Sequence, residues 1–186
     1  DVLPLVKSEK PWVREQVVFL LGRMKGKKAR QAVVAGLADK SPLVAVTAAE
    51  ALADSDKRPD AGTIRRIASL LGLPDEAVAK RAHATLLKIG KTAPARDVYV
   101  TLLDSDKPHA VLAAAELLIQ CRPFSSVSPL TDLTGVTEIP KLMALLKSED
   151  KDTAMAAGAT LRHYTNQTFD DEPKLWAKWW EAHKAL

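Results

Sequence analysis

Apolar residues return along this chain at intervals of four, in blocks that themselves recur. Five segments of eleven residues align without gaps: PWVREQVVFLL from Pro11, PLVAVTAAEAL from Pro42, EAVAKRAHATL from Glu76, PHAVLAAAELL from Pro108 and KDTAMAAGATL from Lys151. Their starts lie 31, 34, 32 and 43 residues apart, a period that suits helical repeat arrays and is too short for independent domains. The third, seventh and eleventh positions of each segment are apolar or small: Val13, Val17, Leu21; Val44, Ala48, Leu52; Val78, Ala82, Leu86; Ala110, Ala114, Leu118; Thr153, Ala157, Leu161. A spacing of four puts them on one face of a helix. The small middle residue lets a neighbouring helix come close, and the final Leu fills the space between layers.

A shorter amphipathic stretch ending in Leu and a polar turn precedes each segment: VLPLVKSEKP, AVVAGLADKSP, IRRIASLLGLPD, VYVTLLDSDKP and IPKLMALLKSEDK. Pro suits the first turn of the following helix, and Asp or Ser can cap its free amides. The unit is therefore an antiparallel helix pair, and the expected fold is all-α, a right-handed α-α superhelix. One domain over 1–186 is expected, with repeats at about 1–25, 26–57, 58–91, 92–122 and 136–165. The long fourth interval places a Ser-, Thr- and Pro-rich loop insertion at 122–135, a secondary candidate for recognition. The first helix looks cut at Asp1, as if the chain continued a longer one.

The stretch WVREQVVFLLGRM resembles the second helix of a HEAT repeat, with its Val-Arg pair and terminal Leu-Gly. Later copies carry Ala45, Ala79, Val111 and Ala154 where the first has Arg14, so the arginine that often stacks along such arrays is mostly missing. The resemblance implies a curved scaffold with the second helices lining its concave side. It specifies fold far better than function. The ending HYTNQTFDDEPKLWAKWWEAHKAL is similar to the Thr-rich turn and W-x-x-W-W helix that close some bacterial HEAT-repeat proteins. Trp176, Trp179 and Trp180, with Leu175 and Leu186, predict a capping helix at 172–186 that covers the open end of the array.

Composition adds little to this picture. Few aromatics and much Ala, Leu and Lys favour helices. The formal charge of +4 permits an anionic partner without requiring one. Arg23, Lys25, Lys27, Lys28 and Arg30 crowd a stretch with no acidic residue, read first as a solvated connection between repeats. Cys121 is the sole cysteine, which excludes an intramolecular disulfide and a cysteine metal cluster. No apolar run spans a membrane and no signal peptide is visible, so a soluble domain is expected, with the cytoplasm favoured. The triplet Asn166-Gln167-Thr168 matches a glycosylation acceptor, but nothing else indicates secretion.

No catalytic or phosphate-binding motif is present, and His83, His109, His163 and His183 are scattered without metal-ligand spacing. A non-catalytic protein without cofactor or metal is the expectation. Candidate function falls on the face opposite the core, at the second, fifth, ninth and thirteenth positions of the second helices. There Trp12, Glu15, Phe19, Leu43, Val46, Glu50, Lys80, Leu112, Glu116 and Met155 predict an apolar strip with charged edges. Such a strip suits a protein or peptide partner. The alternative is an anionic contact through Arg23, Lys25, Lys27, Lys28, Arg30, Arg65, Arg66, Lys80, Arg81 and Lys88. Some HEAT-like proteins, including a class of alkylpurine DNA glycosylases, hold DNA in a basic groove. Glu15, Glu50 and Glu116 on the same predicted face oppose that reading, and Trp12 with Glu15 or Glu50 is the only hint of a glycosylase-type site.

Overall fold

The first turns of the second helices show how this sequence divides into elements. Pro11 begins α1 (Pro11–Arg23), Pro42 begins α3 (Pro42–Ala53) and Pro108 begins α7 (Pro108–Gln120), each where a missing amide hydrogen costs nothing. Two others start on aspartate. Asp75 accepts from the amides of Ala77 and Val78 at the start of α5 (Glu76–Ile89), and Asp150 accepts from Thr153 at the start of α9 (Lys151–Thr165). Asn166 ends α9 with φ of 54°, a left-handed conformation that asparagine tolerates better than most side chains. The computed structural model describes residues 2–55, 59–89, 93–120, 137–169 and 172–184. The 122–135 insertion, Cys121 and Leu186 lie outside them.

Among the described residues there are ten α-helices and no strand. The remaining helices are α2 (Lys27–Gly36), α4 (Ala61–Ser69), α6 (Ala93–Leu102), α8 (Glu138–Leu145) and α10 (Pro173–His183); short 3-10 segments lie at Leu3–Lys7 and Leu70–Gly72. None of these helices is long and apolar enough to cross a membrane. The chain falls into two compact units, Asp1–Gly90 and Lys91–Leu186. In the first, Leu3–Lys7 packs on α1, α2 on α3 and α4 on α5, while α3 sits between α1 and α5. In the second, α6 packs on α7 and α8 on α9, with α7 against α9 and α10 against α8.

The predicted core positions are buried except Val13, which is half-buried. Small residues set the helix spacing: a Cβ added at Gly22 would lie 2.5 Å from Ala51 Cβ, so α1 and α3 approach as closely as only glycine allows. In the second unit two hydroxyls reach from α9 to carbonyls of α7, Thr160 to Ala115 at 2.6 Å and Tyr164 to Leu118 at 3.0 Å. Trp176 and Trp179 of α10 are buried, as a cap requires, whereas Trp180 is half-buried. Leu175 departs from expectation and faces solvent, because the apolar face of α10 is narrower than the sequence suggests.

Arg14 explains itself in this setting. Its guanidinium is buried and donates to both oxygens of Asp39, at 2.7 and 2.8 Å, and to the carbonyls of Ser8 and Glu9 at 2.8 and 3.1 Å. It clamps the turn before α1 to the turn before α3. Where the later copies have Ala45, Ala79 and Val111, those positions are buried and carry no charge that needs such a clamp.

The same hydrogen bonds from Arg14 hold the Asp39 carboxyl below the usual range, with the Ser41 amide assisting and burial opposing. Asp60 and Asp150 are lowered by capping Thr63 and Thr153. A carboxyl lowered on folding stabilises fully above its ordinary pKa, about 4, and loses that contribution as pH falls through the folded value. Urea midpoints should therefore decline below about pH 4. Asp39→Asn should reduce the midpoint at neutral pH and flatten the acid decline; a wild-type midpoint constant to pH 3 would contradict this.

Candidate functional site

In the first unit α1, α3 and α5 lie side by side, and their exposed stripes enclose a groove of about 390 Å³. From α1 come Phe19, Gly22 and Arg23; from α3 and its end Thr47, Glu50, Ala51 and Asp54; from α5 Arg81, Ala84, Thr85 and Lys88. Gly22, Ala51 and Ala84 leave room on the floor. Phe19 presents one wall, 44% exposed, with the Arg23 guanidinium 4.5 Å from its ring centroid.

The polar side of the groove is cross-linked. Arg81 donates to both oxygens of Glu50, at 2.8 and 2.7 Å, and to the Thr47 hydroxyl at 3.1 Å; that hydroxyl donates onward to Glu15 at 3.3 Å. The bonds to Glu50 keep the Arg81 guanidinium more firmly protonated than usual. Lys88 forms an ion pair with Asp54. A bidentate Arg–Glu pair fixes geometry as well as charge, so the chain from α5 through α3 to α1 holds the wall in place.

Several predicted partner-binding residues meet here and several do not. Phe19 and Glu50 line the groove, and Glu15 joins its hydrogen-bond chain. Trp12 and Leu43 are exposed one or two turns before it on α1 and α3, 63% and 45% accessible, and Lys80 is exposed on α5 in an ion pair with Glu76. Val46 is a correction: expected on the open strip, it is completely buried. Its helix has neighbours on both sides, so the fifth position turns into a helix interface rather than to solvent. In the second unit Leu112 and Glu116 are half-buried on α7, while Met155 is 61% exposed on α9.

The basic set scatters likewise. Arg23 and Lys88 reach the groove, as does Arg81. Lys27 and Lys28 are exposed on α2, Lys25 just before it, and Arg65 and Arg66 on α4. Arg30 is half-buried and donates to Ser55 at 2.8 Å. The groove floor, Gly22, Ala51 and Ala84, and the carboxylate Asp54 lie outside the residues that the repeat pattern marks for binding. Charge pairing one repeat apart was the available signal, since Arg81 follows Glu50 by 31 residues.

Antiparallel helix pairs with second helices packed side by side define a helical-repeat fold. The comparisons agree with this. The sequence model for HEAT repeats matches residues 1–64. An archaeal HEAT-like repeats protein from Thermococcus onnurineus NA1 superposes with a TM-score of 0.58 at 17% identity, over 94% of this chain and 73% of that one. An engineered protein gives 0.52 at 17% identity, over 87% and 78%, and a designed armadillo repeat protein 0.50 at 19%, over 88% and 80%. No curated protein sequence matches this chain.

Proposed function

We propose that the protein is a non-catalytic scaffold or adaptor whose first unit docks a peptide segment of another protein in the groove between α1, α3 and α5. One observation carries the reading: three successive second helices surround an open space of about 390 Å³ with an aromatic wall and a floor of Gly and Ala. A side chain inserted there meets apolar surface below and fixed charges beside it, the arrangement that gives peptide grooves both affinity and register. The clamps around Arg81 keep the groove formed without a ligand, which lowers the cost of ordering on binding. Trp12 and Leu43 extend the contact surface along α1 and α3.

Nucleic acid fits this site less well. Glu15, Glu50 and Asp54 would face a polyanion, and two of the three groove cations already hold carboxylates. The test is selection of displayed random peptides on the intact chain, followed by affinity measurement on Ala84→Trp. Ala84 is exposed, so the indole fills the groove without entering the core. Selected peptides should bind the variant at least about tenfold more weakly, a loss of roughly 1.4 kcal/mol. Peptides indifferent to Ala84→Trp, or steep salt-dependent retention of duplex DNA in their place, would overturn the proposal.

A further inference from the structure

We infer that the segment taken by this groove is acidic beside a bulky apolar residue, with one carboxylate seated on Arg23 and the apolar side chain between Phe19 and the small-residue floor. This rests on the peptide-docking reading above and adds the partner's chemistry to it.

The charges of the groove are not equivalent. Arg81 is held by Glu50 and Lys88 by Asp54. Arg23 is exposed at the last position of α1, its guanidinium over the Phe19 ring, and among the described residues it has no carboxylate partner. Of the three cations lining the groove, Arg23 is the one with no carboxylate of the lining paired to it, and it stands next to the aromatic wall. A guanidinium already aligned by a ring presents its N–H donors outward at a lower cost in side-chain entropy than a free arginine.

The surroundings give the partner a direction. Beyond Arg23 the chain continues through exposed Lys25, Lys27 and Lys28, so the end of α1 adds no acidic residue of its own against an incoming carboxylate. Toward the start of α1 the hydrogen-bonded Glu15 repels acid. A segment with its carboxylates at the Arg23 end and its apolar anchor on Phe19 satisfies both. A polyanion evenly charged along its length does not, because Glu50 and Asp54 stand beside the floor.

The experiment is a parallel selection of displayed random peptides on the intact wild-type chain and on Arg23→Glu and Arg23→Lys, with circular dichroism to confirm that each variant is folded. Wild type should enrich Asp and Glu next to a large apolar residue about tenfold over Lys and Arg, the scale of one hydrogen bond to a charged group. Arg23→Lys should keep that preference in weaker form, and Arg23→Glu should invert it. Peptides that lose binding on Ala84→Trp yet show no acidic preference would sink this inference and leave peptide docking standing. Absence of any Ala84-dependent peptide would remove both. Duplex DNA retention that Arg23→Glu abolishes, without acidic peptides, would assign the arginine to a polyanion and overturn the proposal.

Discussion

Replacing Trp176 with Ala should lower the stability of the second unit by about 3–5 kcal/mol, the range for emptying a large aromatic site in a core. Trp176 has no solvent exposure. Phe169 meets it edge-on at 5.1 Å and Trp179 at 6.1 Å, and its helix packs on α8. Without the indole the other two rings lose their edge contacts, and the end of the repeat stack opens to water. A loss of that size rivals the whole stability of a small domain, so Trp176→Phe serves as the milder companion. Urea denaturation followed by circular dichroism reads both. Half-buried Trp180→Ala is the comparison, expected to cost far less. Equal losses at 176 and 180 would show that α10 does not act as a cap.

The second large effect is expected at Arg96→Met. Glu138 is fully buried at the start of α8, and Arg96 on α6 donates to its Oε1 from Nε at 3.1 Å and Nη2 at 2.6 Å. Its other oxygen is buried, with no hydrogen-bond partner among the described residues. Removing the arginine takes from a buried carboxylate its one ion-pair partner among the described residues, a change that costs about 3–5 kcal/mol. The double variant Arg96→Met, Glu138→Leu should recover most of that loss, because the cost lies in the stranded charge rather than in the pair. Urea midpoints at neutral pH compare the two. A double variant no more stable than Arg96→Met would place the loss in packing instead.

The parts of the fold legible in sequence are those written within one helix. Spacing by four marked the buried face, and Pro42 or Asp150 marked a start, because both effects act over a single turn. The site needed contacts between repeats. Arg14 meets Asp39 across 25 residues and Thr47 meets Arg81 across 34, and helical periodicity says nothing of which charge a neighbour presents. Val46 shows the limit most sharply. Its register is that of the outward stripe, yet flanking helices on both sides decide its burial. Gly22, Ala51 and Ala84 fall at none of the three core positions of the repeat, and the groove exists because two of their helices come close enough to form a floor.

The pattern of neighbours described for each unit also bears on how the chain finds its structure. The principal contacts join a helix to the next one or the next but one: α1 to α2 and α3, α3 to α5, α7 to α9, α10 to α8. Even the buried hydroxyl bond from Tyr164 closes only 46 residues. Little loop entropy is spent before each contact is rewarded, so within each unit folding can nucleate at any helix pair and spread to its neighbours at the speed of local-contact proteins.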